Sequence, residues 1–519
     1  MKGAFLICIL FHLSLFSQSI DVQNYDLEIT VSDENNVIEA TNSIRIQFNI
    51  ECSVFALDLI AQDASGRGML VSKVLSSGKE LRFEQINDSL LIYPLDISKG
   101  SSETFVISYA GIPKDGLIIG KNKYGNRTFF GDNWPNRARH WFPCVDHPSD
   151  KATISYRITH PNHYTCVANG ELQAKESASE NETTTIYTSS IPLPTKVMVF
   201  GLAHLKSDTI TVRNGPEHIN WVYPENYSEG IFDLKVAKDP LVFYSKNISP
   251  YPYEKLYNVQ STTRFGGMEN AGCIFYDENA FKGKGTMENL IAHEIAHQWF
   301  GNSATESDWQ HLWLSEGFAT YFTSLYLENK YGIDARNEQL KKDRERVINF
   351  HQKVRLPVVD TISTDLMQLL NPNAYQKGAW ILHMLRSKLG DSVFWNGIRN
   401  YYTKFEFQNA TSDDFVKSME EECGYELDKF MNPWLRKTGH PLLRIQKQNN
   451  GSITQIKIIQ EQENFIYSFP LEIELNYKDG SKELKVIDVY SKTTEFQSNK
   501  RIDTITLDPM VKLLFEKVK

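Results

Sequence analysis

From Asp21 to about Lys206 the chain alternates apolar and polar residues, as in YDLEITV (25–31), SIRIQFN (43–49) and ISYRIT (154–159). A period of two over such runs predicts half-buried strands. Turn signals interrupt them, among them SSGK (76–79) and YGNR (124–127). Long helical periodicity is missing here, so this stretch reads as one large β domain. From about Asp208 to Lys437 the pattern changes. TMENLIAHEIAHQWFG (286–301) has helical apolar spacing and is expected to end at Gly301. LSEGFATYFTSLYLENKYG (314–332), ARNEQLKKDRERVINFHQK (335–353) and AYQKGAWILHMLRSKLG (374–390) predict three more helices. DDFVKSMEEECG (413–424) and LDKFMNPWLRKTG (427–439) follow in the same manner, with some strand expected before Met268. Past His440 the alternation returns in ITQIKII, LEIELNY, LKVIDVY and DTITLD, which predicts a small β-sandwich. The fold class is therefore multidomain α+β. Its expected regions are 20–206 (β), 207–438 (mainly helical) and 439–519 (β-sandwich), with 1–19 set apart.

Those first residues, MKGAFLICILFHLSLFSQS, carry one Lys and then an apolar run from Ala4 to Phe16 broken by His12. They read as a secretory signal peptide cleaved after Ser17 or Ser19, since the run is well short of the roughly 20 residues of a spanning helix. Export to the periplasm or outside is the expected localisation, with no stable membrane span afterwards. An apolar fraction of 41% and a charged fraction of 23% are ordinary for globular protein. The formal net charge is −9 and there is no Lys/Arg block, which argues against nucleic-acid binding. Cys8 belongs to the leader; Cys52, Cys144, Cys166, Cys273 and Cys423 match neither paired metal spacing nor a dense disulfide framework. Buried free thiols are the expectation.

The chemistry concentrates in HEIAHQWFG (293–301). On a helix, His293 and His297 fall about 400° apart around the axis and roughly 6 Å along it. Two imidazoles so placed can take adjacent corners of a tetrahedral zinc. Glu294 points about 100° away from His293, beside a metal rather than on it, where a general base for water belongs. The plainer alternative is one polar stripe on an ordinary helix. A catalytic zinc needs a third protein ligand and one open position. Glu316, at the start of the following amphipathic helix in LWLSEGFATY, supplies that ligand. One zinc per chain is expected.

HEIAHQWFGN with Glu316 in WLSEGFATYF resembles the aminopeptidase N family of gluzincin metallopeptidases, which includes the leukotriene hydrolases. GGMEN (266–270) is similar to the family's Gly-Ala-Met-Glu-Asn exopeptidase motif, with Gly267 in place of the Ala. YQKGA (375–379) resembles its Tyr-x-Lys-Gly segment, and RARHWFPCVDHPSDKAT (137–153) its β-domain signature. The order of all four agrees, and the resemblance covers nearly the whole chain. It implies a saddle-like N-terminal β domain and a thermolysin-like catalytic domain. It also implies peptides with a free N-terminus as partners, and Gly266, Gly267, Met268, Glu269 and Asn270 as substrate-binding residues. Glu294 would be the general base. Tyr375 would donate its phenol O–H to the developing oxyanion; its bland alternative is an aromatic core residue. Glu269 would pair with the substrate's α-ammonium and fix the first peptide bond in place, whereas GGMEN could also be a mere turn before a helix. Gly266 and Gly267 would let substrate backbone approach closely.

Two departures stand out. Many relatives continue into a large helical domain, so this chain reads as a short form with a more open entrance or a cover from another subunit. Asp132, in GDNWPNRAR, stands roughly where relatives commonly carry Gln. It would add negative charge near the amine or favour Lys/Arg as the first residue; otherwise it is a solvated turn residue. Aminopeptidase activity is the expected function. The alternatives are an epoxide hydrolase of the leukotriene-hydrolase type, an endopeptidase, and a catalytically inactive peptide-binding relative.

Overall fold

The computed structural model describes residues 19–213, 215–463 and 465–518. The expected leader, with Cys8, lies outside the described residues except for Ser19. The chain divides into two compact units, one of residues up to 307 with 406–409, the other of 308–405 with 410 onward.

The first unit is built on the predicted strands. An eight-stranded sheet runs in the order Glu171–Ser177, Glu182–Pro194, Lys151–Pro161, Ile20–Thr30, Ile38–Phe48, Ser102–Ile112, Gly68–Ser76, Lys79–Glu80. Ile20–Thr30 pairs parallel with Lys151–Pro161 and antiparallel with Ile38–Phe48. The alternation read from sequence is the alternation of burial. In Ile38–Phe48 the buried positions are Ile38, Ala40, Asn42, Ile44, Ile46 and Phe48, and the others face outward or half outward. Within SSGK, Ser77 and Gly78 both take positive φ (49° and 75°) and close the hairpin to Lys79–Glu80. The 137–153 signature is a knot of buried charge. Asp146 accepts from Arg139 Nε at 3.1 Å and from the Thr195 hydroxyl at 2.8 Å, while Arg139 also reaches Asp58 at 3.1 Å.

A second, five-stranded sheet of this unit runs Lys206–Ile210, Glu217–Val222, Lys255–Ser261, Cys273–Asp277, Gly267–Met268. Its three central strands are parallel, and Lys255–Ser261 is buried at every position. Strands covered on both faces do not alternate. Here the polar residues are satisfied internally: Asn258 donates to Asn220 Oδ1 at 3.0 Å, and Gln260 accepts from Tyr223 N at 3.0 Å. Gly267–Met268 forms an edge, antiparallel to Cys273–Asp277 with Gly267 opposite Tyr276.

The HExxH helix, Glu288–Ala296, lies in the same unit and is shorter than the sequence suggests. It stops before Gly301, with His297 at its boundary. The next N–H groups, of Gln298 and Trp299, bond to Ile295 and Ala296 three residues back, at 3.2 and 3.1 Å. This tightened turn ends the α-helix. Gly301, at φ 117°, then reverses the chain.

The second unit carries the helices Trp313–Tyr331, Ile333–His351, Gly378–Leu389, Asp391–Phe405, Ser412–Cys423 and Asp428–Arg436. Gly332 and Gly390, both at positive φ, end the first and third of these. Thr411 and Asp414 form a reciprocal capping box at the start of Ser412–Cys423. The C-terminal region has one sheet of four strands and one of three. Cys52, Cys144, Cys166, Cys273 and Cys423 are free thiols; Cys144, Cys166 and Cys273 are buried as expected, whereas Cys52 and Cys423 are only half-buried. Among the described residues no helix is long and apolar enough to cross a membrane.

Candidate metal centre and active site

His293 sits on the last turn of the helix Glu288–Ala296, and His297 follows its end. Two hydrogen bonds fix this piece of chain: Tyr244 donates its hydroxyl to the Ala292 carbonyl at 3.1 Å in a buried bond, and Trp299 Nε1 donates to the Ser249 carbonyl at 3.0 Å in a partly buried one. The two imidazoles bring their Nε2 atoms within 3.0 Å of each other. His297 Nδ1 lies 3.1 Å from the Phe300 carbonyl. A carbonyl only accepts, so Nδ1 carries the proton and Nε2 keeps its lone pair for a metal. Glu316, in the first turn of Trp313–Tyr331, is buried and is the third donor of the candidate group His293, His297 and Glu316. Two imidazoles and one carboxylate are the donor set of a catalytic zinc with one position left for water or substrate. The residues present fit one zinc ion.

Glu294 is buried, and its neighbour explains a glycine. A Cβ at Gly267 would stand 2.4 Å from Glu294 Oε1 and 2.5 Å from its Cδ. The carboxyl group lies against Gly267, in space an alanine would take. Gly267 therefore makes room for a protein carboxylate, which sequence reasoning had reserved for substrate backbone. Gly266 is different: a Cβ there would meet only Leu290 Cδ1, at 3.8 Å.

Glu269 is buried beside this strand. Its carbonyl is held twice, by Gln298 Nε2 at 2.9 Å and Asn302 Nδ2 at 2.6 Å. Its side chain is not held in the same way: Oε1 is buried without a hydrogen-bond partner among the described residues. Both amide atoms of Asn270 are in the same condition. Buried polar atoms are nearly always paired, so three orphans on adjacent residues mark a place completed by something else. Met268 is buried in the edge strand opposite Phe275.

Tyr375 is half-buried on a π-helical turn, Asn373–Lys377, that leads into Gly378–Leu389. Such turns recur at functional sites. Two glycines bring it to the helix of Glu316. A Cβ at Gly317 would be 2.9 Å from Gly378 Cα and 3.0 Å from the Ala374 carbonyl oxygen, so the two backbones touch there.

Asp132 is not a solvated turn residue. It is fully buried; Oδ1 accepts from Arg137 Nη2 at 2.7 Å and Oδ2 from the Arg264 backbone N–H at 3.3 Å. Burial raises its pKa against the opposing pull of Arg137 and Arg264. Both oxygens are engaged by protein donors.

Sequence reasoning missed Gln298 and Asn302, although both stand within the quoted HEIAHQWFGN. It also missed Gly317 and Gly378, whose only sign is a glycine on each of two adjoining helical segments. A buried pair, Lys196 with Glu306, had no local signal at all.

Comparison with known proteins fits this geometry. The peptidase M1 N-terminal domain matches residues 22–197, and the peptidase family M1 domain matches 232–434. The chain belongs to peptidase family M1, a family of zinc metallopeptidases. It is 31% identical to a glutamyl aminopeptidase of Sus scrofa over 61% of this chain and 35% of that protein. It is 26% identical to the mitochondrial aminopeptidase 2 of Saccharomyces cerevisiae, over 91% of this chain and 53% of the other. A leucyl aminopeptidase of Saccharolobus solfataricus is 25% identical over 88% and 59%. The chain thus spans between about a third and three-fifths of the length of these relatives.

Proposed function

We propose that this chain is a zinc-dependent aminopeptidase that removes single residues from peptides with a free N-terminus. The observation that carries the reading is the buried, unpartnered Oε1 of Glu269 on the strand whose Gly267 lies against Glu294. Zinc held by His293, His297 and Glu316 would acidify water and polarise the scissile carbonyl. Glu294 takes a proton from the attacking water and returns it to the leaving amine. Gly267 keeps that carboxylate against the edge strand, so the base starts from a fixed position. Tyr375 donates its phenol O–H to the oxygen where negative charge develops. Glu269 pairs with the α-ammonium, a group that is cationic or nearly so near neutral pH. An internal peptide segment lacks that charge and would bury Glu269 unpaired, which disfavours endopeptidase cleavage. The edge backbone of Gly266–Met268 can pair with an extended substrate. Asn270, with both amide atoms unpartnered, adds a donor and an acceptor to the same surface.

The test is zinc content together with turnover of an aminoacyl anilide and its N-acetyl twin. Cleavage of the free amine alone is expected; equal cleavage of both would sink the reading. The relatives' names differ in the residue removed, glutamyl or leucyl, so first-residue preference is a question for a side-chain-varied panel. We also propose export, on the strength of the apolar run after Lys2. A mature N-terminus near Ile20 in the exported fraction is the expected result, and an intact Met1 in the cytosol would overturn it.

A further inference from the structure

Gln298 follows the second histidine of HEIAHQWFG and is fully buried. Its side-chain amide joins two pieces of chain. Nε2 donates to the Glu269 carbonyl at 2.9 Å and to the Glu294 carbonyl, one helical turn back, at 3.4 Å. Oε1 accepts from the Gly272 N–H at 2.9 Å and stands 3.4 Å from the Tyr251 hydroxyl. The chemistry of these partners fixes which way the amide faces. A carbonyl only accepts and a backbone N–H only donates, so the reversed amide would oppose like with like at Glu269, Glu294 and Gly272. Gln298 thus brackets the turn that follows the edge strand, holding residue 269 on one side and residue 272 on the other. Across that turn the Cys273 N–H donates to the Asn270 carbonyl at 3.0 Å, and Gly272 takes a positive φ of 65°. Asn302 adds a second grip, its Nδ2 2.6 Å from the same Glu269 carbonyl, so both acceptor positions of that oxygen are filled by side chains of one segment.

A fully buried amide must have its polar atoms satisfied, whereas an apolar side chain of the same length would fill the space without that demand. What only the amide supplies is a fixed span between the backbone of Glu294 and the backbone of Glu269. The Glu269 carboxyl itself has no such restraint at Oε1, which is buried without a hydrogen-bond partner among the described residues. A carboxylate that must meet an ammonium binds it better when its place is set before the ligand arrives. We propose that Gln298 is a positioning residue for amine recognition: it locks the Glu269 backbone to the helix of Glu294 and so fixes where the α-ammonium is held relative to the base. The inference rests on the reading of Glu269 given above. It predicts that Gln298 acts through Glu269, so that once the Glu269 side chain is gone, little depends on Gln298.

The experiment is a double-mutant cycle by steady-state kinetics on zinc-loaded protein with a free-amine aminoacyl anilide, comparing wild type, Gln298→Met, Glu269→Ala and the two combined. Gln298→Met keeps the length of the side chain and removes the amide. It should raise KM about tenfold, within the roughly 100-fold that a misplacement of about an ångström can cost, with kcat little changed. Placed on Glu269→Ala, the same change should raise KM by less than about twofold. A purely structural role would lower the denaturation midpoint and kcat, and its effect would multiply in both backgrounds. An unchanged KM in Gln298→Met, or a rise by the same factor with and without the Glu269 side chain, overturns the proposal. Gln298→Asn keeps the amide and withdraws it by one methylene. It serves if the Met variant does not fold, with a smaller rise in KM expected, again dependent on Glu269, and an unchanged KM decisive against. Glu269→Ala alone separates the two ideas. If it leaves KM unchanged, the reading of Glu269 has failed; if it raises KM while Gln298→Met behaves as wild type, only the role of Gln298 has.

Discussion

Two short segments meet at Gly267: the helix that carries His293 and Glu294, and the edge strand that leads to Glu269 and Asn270. They differ in how complete they are. In the helix segment, His297 Nδ1 is fixed on the Phe300 carbonyl and the two Nε2 atoms converge. With a metal in place, both Nε2 atoms of this segment would be taken up as ligands. In the strand segment the backbone is fixed, with the Glu269 carbonyl held by Gln298 and Asn302, while Glu269 Oε1 and both Asn270 amide atoms are buried without hydrogen-bond partners among the described residues. One segment is finished by the protein and the other by its ligand. Changes in the first should therefore act on kcat, and changes in the second on KM.

The largest effect should come from Glu294→Gln. The amide keeps the shape and cannot accept a proton from water, so kcat should fall by roughly 10²- to 10⁴-fold with zinc content unchanged. Substantial turnover in the zinc-loaded variant would remove Glu294 from its role. Next comes Glu269→Ala, which deletes the partner of the α-ammonium. KM for unblocked substrates should rise about 10- to 100-fold, while zinc content stays as it is. A fall in kcat at constant KM would erase the contrast between the segments.

The contact between them can be tested directly. Gly267→Ala places a Cβ 2.4 Å from Glu294 Oε1. What must move is the far end of a flexible side chain, so folding should suffer little and the base should be displaced. Misplacing a reacting group by about an ångström costs up to about 100-fold, and a loss of roughly tenfold in kcat is expected. Gly266→Ala is the control, because its Cβ meets only Leu290 Cδ1 at 3.8 Å. If the two alanines behave alike, the glycines serve substrate backbone and not Glu294.

What was legible in the sequence follows from the range of the forces involved. The outer strands declared themselves because one face is buried and the other wet, as in Ile38–Phe48. Lys255–Ser261 did not, because Asn258 and Gln260 are buried and satisfied by residues far away in sequence. His293 and His297 were legible because helical spacing is local. The end of their helix was not: the chain tightens at Gln298 and Trp299 while the glycine comes later. Glu269 was found through its motif, but its unpaired oxygen is a property of everything packed around it. Lys196 and Glu306 are 110 residues apart and carry no pattern that links them.

Asp132 offers the smallest effect on catalysis, and a sharp one to interpret. The sequence leaves it either a charge near the substrate or a solvated turn residue. In the structure each oxygen accepts from a different donor, Arg137 Nη2 at 2.7 Å and Arg264 N at 3.3 Å. An asparagine has one acceptor and one donor end. Whichever way it is turned, its amide NH₂ must face either a guanidinium or a backbone N–H, donor against donor. Asp132→Asn should therefore lower stability by about 1–3 kcal/mol, visible as a reduced denaturation midpoint. The order of preference among Lys-, Leu- and Ala-anilides should not change, because no substrate atom replaces either contact. A variant of wild-type stability with a raised KM for the Lys substrate would mean the opposite. Asp132 would then belong with Glu269, among groups completed by the ligand, and the line between the two kinds of segment would have to be redrawn through the N-terminal β region.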